Sequence, residues 1–96
     1  MIEHLIMCGI SKKTIEVLKS RQVQFYSLTL NEEECIKTII YLKFIGIKNI
    51  DEILLYRPEL FLNTKLEVSL MFEKNDIQEI VKKINDNYEN IDILFD

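Results

Sequence analysis

Only three backbone breakers, Gly9, Gly46 and Pro58, punctuate 96 residues, and their positions limit what the chain can fold into. The stretch Ile36 to Phe61 spans the last two. Its apolar residues Ile36, Ile39, Ile40, Leu42, Phe44 and Ile45 follow helical spacing, and the adjacent pairs Ile39-Ile40 and Phe44-Ile45 are incompatible with strand alternation. Asn31 with Glu34 reads as a capping box that opens this helix, and Glu32, Glu33 and Glu34 place negative charge at its positive end. Gly46 ends it, since glycine takes the left-handed conformation without a Cβ penalty. Asn49 with Glu52 reads as the start of a second, short helix carrying Ile50, Ile53 and Leu54 on one face. Pro58 disfavours helix at Arg57, so Pro58 to Phe61 should form a turn or one tight helical turn that tucks Leu60 or Phe61 inward.

The flanking segments look like partial copies of this unit. Gly9 ends an N-terminal helix, Ser11 caps the next, and Ile10 and Ile15 stand at the two positions of a hydrophobic staple. At an offset of 36, Val17-Leu18 falls on Ile53-Leu54, Arg21 on Arg57 and Phe25 on Phe61, while Gln22 replaces Pro58. Downstream, Thr64 and Glu67 form another capping box ahead of Leu66, Leu70, Met71 and Phe72. At an offset of 41, Ile77, Ile80 and Val81 then fall on Ile36, Ile39 and Ile40, Asn87 stands near Gly46, and Asn90 falls on Asn49. The expected fold is a single all-α domain over residues 1–96, a short solenoid-like helical repeat of about two and a half helix-pair units. Its last segment is strongly apolar. Ile91, Leu94 and Phe95 either fold back on the core, the preferred reading, or contact a partner or a second copy of the chain.

Composition narrows the function classes. With 48% hydrophobic residues and no apolar run of membrane-spanning length, the chain reads as soluble and cytoplasmic. Cys8 and Cys35 are too few for a disulfide framework. His4 and Cys8 at i, i+4, together with Cys35, offer three ligands on paper, but no CxxC or HxxxH occurs and both cysteines sit among isoleucines and leucines. The Glu32–Glu34 run is accounted for by its helix N-terminus, and no glycine-rich phosphate loop exists. No catalytic residue, cofactor or metal is expected, and the chain does not read as an enzyme.

The net charge is −4, unevenly spread: residues 1–30 are net positive, and seven acids from Glu73 onward face three lysines. Lys12 and Lys48 are equivalent at the 36-residue offset, as are Arg21 and Arg57. With Lys13 they make the candidate phosphate-binding set. Phe25, Phe44, Phe61 and Phe72 stand at helical core positions, so no aromatic stacking platform is expected.

Leu54, Pro58 and Leu60 form an LxxxPxL pattern, preceded by Leu42-Lys43-Phe44-Ile45-Gly46-Ile47. Over Leu5 to Leu70 this resembles a repeat of the mitochondrial transcription termination factor (mTERF) family. The resemblance implies an all-α solenoid of helix pairs with a tight turn after each pair, and nucleic-acid binding through a basic concave surface. Two functions are therefore expected. The first is a non-enzymatic protein-interaction module, a small regulator or inhibitor. The alternative is a nucleic-acid binder using Lys12, Lys13, Arg21, Lys48 and Arg57. Overall acidity weakens phosphate binding and favours the first.

Overall fold

The computed structural model describes residues 1–96, and every regular element in it is helical. Two glycine stops set the path of the first half. Helix α1 (Ile2–Met7) ends where Gly9 takes φ +88°, and the Ile10 N–H donates back to the Leu5 carbonyl at 3.0 Å. Helix α4 (Glu32–Ile45) ends the same way: Gly46 takes φ +102° and the Ile47 N–H donates to the Leu42 carbonyl at 2.9 Å. Each glycine closes a Schellman turn and aims the chain into another helix. After Gly9 comes α2 (Lys12–Ser20), whose Ser11 cap accepts from the Thr14 N–H, with Ile10 and Ile15 both buried as the staple requires.

Between α2 and α4 lies α3 (Gln22–Leu30), a full α-helix. Its counterpart after α5 (Ile50–Tyr56) is a 3₁₀ turn, Pro58–Leu62. Gln22 stands where Pro58 stands, each as the first residue of its helical segment. The Pro58 turn buries Leu60 and Phe61 completely. Helix α6 (Lys65–Glu73) opens with both halves of the Thr64–Glu67 capping box. Helix α7 (Ile77–Asp86) is capped by Asp76, and a second 3₁₀ segment, Tyr88–Phe95, closes the chain.

Several local expectations fail for one physical reason: the side chains are engaged elsewhere. Asn31 does not cap α4. Its amide donates to the Phe61 carbonyl at 3.0 Å, and Glu34 accepts from the Lys65 N–H at 2.8 Å. Asn49 does not cap α5 but donates to the Ile84 carbonyl at 2.7 Å. Asn87 is extended, at φ −153°, and caps the final segment through the Glu89 N–H, so it does not reproduce the Gly46 stop. Nor does Asn90 open an α-helix: it lies within the terminal 3₁₀ segment, and its amide donates to the Lys83 carbonyl.

These cross-links order the helices. His4 meets Glu32, and Gly9 lies beside the Lys43 side chain, which ties α1 and the turn after it to α4. The Lys65 N–H meets Glu34 and Phe72 meets Tyr41, so α6 flanks the other side of α4, in the same direction. Behind this layer, Ser11 and Thr14 bond Asp51, and Arg21 bonds the Leu55 carbonyl, which joins α2 to α5. Tyr56 and Arg57 then bond Asp92 of the terminal 3₁₀ segment. One cluster of 20 buried apolar side chains, from Leu5 to Leu94, fills the space between. No helix is long and apolar enough to cross a membrane.

Candidate functional site

The basic set picked out in the sequence is dispersed in its roles. Lys12 and Lys13 are exposed at the start of α2, and Lys48 is exposed in the turn before α5. Both arginines make bonds within the chain. Arg21 donates from Nη1 to the Leu55 carbonyl at 2.7 Å. Half-buried Arg57 donates from Nε to Asp92 at 2.7 Å and from Nη1 to Glu59 at 3.1 Å, with its guanidinium 4.5 Å from the centre of the Phe95 ring. The Tyr56 hydroxyl donates to the same Asp92 at 2.6 Å, and with Arg57 it holds that carboxyl below the usual aspartate range. Each arginine thus fastens its own element to the one about 35 residues on, Arg21 to Leu55 and Arg57 to Asp92.

The C-terminal candidates are likewise engaged within the chain. Ile91 and Leu94 are buried in the core, and Phe95 is half-buried under Arg57. The segment folds back, so Ile91 and Leu94 offer no surface to a partner in this fold. His4 bonds Glu32, which also pairs with the terminal ammonium at 3.3 Å. Cys35 is fully buried, and burial pushes its thiol up to about 12, far from the thiolate that nucleophilic or metal chemistry needs. No three His, Cys, Asp or Glu side chains are placed to hold a metal.

The feature that spacing missed lies on α4. Phe44, expected in the core, is 87% exposed, and Ile40 one turn before it is 56% exposed. Together with Tyr41 they floor an open cleft of about 600 Å³ between α4 and α6, whose remaining lining residues are Lys37 and Lys65. Two contacts fix its walls. Tyr41 packs edge-on against buried Phe72, with ring centres 6.0 Å apart, which ties the floor to α6. The Lys65 ammonium sits 5.5 Å from the Tyr41 ring centre and has no carboxylate within salt-bridge distance. Lys37 is held by Glu33 at 3.1 Å and Glu34 at 3.4 Å on its own helix. The charged residues that line the apolar floor are therefore lysines, of which Lys65 alone lacks a carboxylate partner.

A signal for this face does exist in the sequence. Cys35, Ile36, Ile39, Ile40, Leu42, Phe44 and Ile45 circle α4 instead of forming one stripe, and a helix apolar all round in so small a protein has a face left over. A second exposed row, Val23, Tyr26 and Leu30, lies on α3, a helix with no charged residue. No protein-family model, curated protein or solved structure matches this chain.

Proposed function

We propose that this chain is a non-enzymatic interaction module that takes a segment of a protein partner into the α4–α6 groove, acting as a small regulator or inhibitor. The exposure of Phe44 beside Ile40 and Tyr41 carries the reading. Leaving a phenylalanine in water forgoes about 1.5–3 kcal/mol of burial. Scattered exposed apolar residues need no explanation, but a clustered set lining a cleft with fixed walls has the form of a binding surface. The arginine staples about 35 residues apart and the paired glycine stops support a short helical-repeat reading of the fold, with its resemblance to mTERF repeats.

The nucleic-acid alternative loses Arg57, whose charge is neutralised by Asp92 and Glu59, while exposed Arg21 keeps its charge with one N–H on the Leu55 carbonyl. Lys12, Lys13, Arg21 and Lys48 remain as unneutralised cations on a chain of net charge −4. The test is selection of displayed random peptides on the immobilised full chain, counter-screened on a Phe44→Asp variant. Peptides that bind wild type and not the variant are expected. Selection that yields no Phe44-dependent peptide would remove the proposal.

A further inference from the structure

We infer that the occupant of the α4–α6 groove is an acidic amphipathic helix of a partner protein. The inference rests on the interaction-module reading and specifies its partner. Charge supplies the first argument. The protein as a whole is acidic, yet the only charged residues lining the groove are Lys37 and Lys65, and no carboxylate lines it. A basic segment would meet the unpaired Lys65 ammonium, whereas an acidic one meets its complement. Lys65 is the principal contact. It has no carboxylate partner, and its ammonium lies 5.5 Å from the Tyr41 ring centre at the edge of the groove. Lys37 contributes less, because Glu33 and Glu34 share its ammonium.

The walls supply the second argument. Four of the five lining residues lie on α4 and the fifth, Lys65, opens α6, and the protein has no strand, so it offers no sheet edge for an extended peptide to join. What the groove offers is an apolar trough with Ile40 and Phe44 one turn apart, which matches anchors spaced i, i+4 on an incoming helix. Such a helix seats its apolar anchors over Ile40 and Phe44 and turns carboxylates towards Lys65 and Lys37.

The test uses fluorescein-labelled peptides of about 18 residues, a length of about five helical turns, with leucines at i, i+4 and i+7. Three flank compositions are compared, glutamate, glutamine and lysine, by anisotropy on the full chain at about 50 and about 200 mM salt. The glutamate peptide is expected to bind tightest, to weaken with salt, to lose at least about fivefold in affinity on Lys65→Glu, and to lose all binding on Phe44→Asp. The lysine peptide is expected to gain affinity on Lys65→Glu, a rescue that a merely structural lysine would not give. Glutamine or lysine peptides binding wild type as well as the glutamate peptide does would overturn the inference. So would a Phe44-dependent dimer in sedimentation, because the occupant would then be a second copy. Selected peptides that depend on Phe44 but are neutral or basic sink the acidic helix alone; an absence of any Phe44-dependent peptide sinks the interaction module itself.

Discussion

Gly46 and Phe44 stand two residues apart and make opposite demands on the chain. Gly46 is needed for its backbone: at φ +102° any side chain is strained, although the nearest atom to an added Cβ, Val81 Cγ1, lies at an ordinary 3.7 Å. Gly46→Val should therefore cost on the order of 1–2 kcal/mol through conformation alone. A urea midpoint equal to wild type would contradict the Schellman stop. Phe44 is the reverse case. Because its ring lies in water, Phe44→Asp should cost no more than about 1 kcal/mol, from a carboxylate placed in the last turn of α4, whereas Phe72→Ala, which removes a fully buried ring, should cost about 3–5 kcal/mol. Urea titration of the two variants side by side checks this. A large loss on Phe44→Asp would mean that the residue supports the fold, and the groove would lose its chief anchor as a binding surface.

At the scale of elements, the terminal 3₁₀ segment depends on the clamp that Tyr56 and Arg57 place on Asp92. The Asp92 carboxyl is held below its ordinary range chiefly by the Tyr56 hydroxyl and then by Arg57; Glu34 and Glu67 are lowered chiefly by the backbone N–H groups of Lys65 and Thr64. Carboxyls depressed in the folded state contribute stability that is complete above their unfolded values, about 4, and is lost as pH falls through the folded values. The urea midpoint should accordingly hold steady from pH 7 to about 5 and fall below about 4. The gap between wild type and Asp92→Asn should narrow over that acid range. A gap constant down to about pH 2 would show that the clamp contributes nothing through its charge.

The same elements show what sequence could tell. Gly9, Gly46, Pro58 and the Ser11 and Thr64 caps act locally, within about one turn, so their letters sufficed. Asn31-Glu34 and Asn49-Glu52 have the same spacing as Thr64-Glu67, yet only the last pair caps its helix. The others are drawn off by Phe61, Lys65 and Ile84, partners 30 to 35 residues away in the chain that no local pattern reveals. Likewise, helical spacing identified α4 but could not say which side of an all-round apolar helix would stay uncovered. The groove became visible only once α6 was placed beside it.

Seen whole, the molecule measures 34 × 23 × 23 Å and has 5845 Å² of accessible surface. An ordinary protein interface takes about 800 Å² from each partner, which would occupy about a seventh of this surface. A single helix seated on α4 and α6 is a contact in keeping with so small a body. Deleting residues 91–96 would instead remove Ile91 and Leu94 from the core, and this truncation is expected to unfold the chain or lower its midpoint sharply. A truncated chain as stable as wild type would mean that the last segment is dispensable. The most direct test of the central claim is a two-dimensional amide NMR titration of the full chain with the glutamate-flanked peptide and, separately, with duplex DNA. The account predicts that the peptide shifts resonances of Lys37, Ile40, Tyr41, Phe44 and Lys65 while DNA leaves the spectrum unchanged. Peptide shifts absent from α4 and α6, or DNA shifts gathered at Lys12, Lys13 and Lys48, would contradict it.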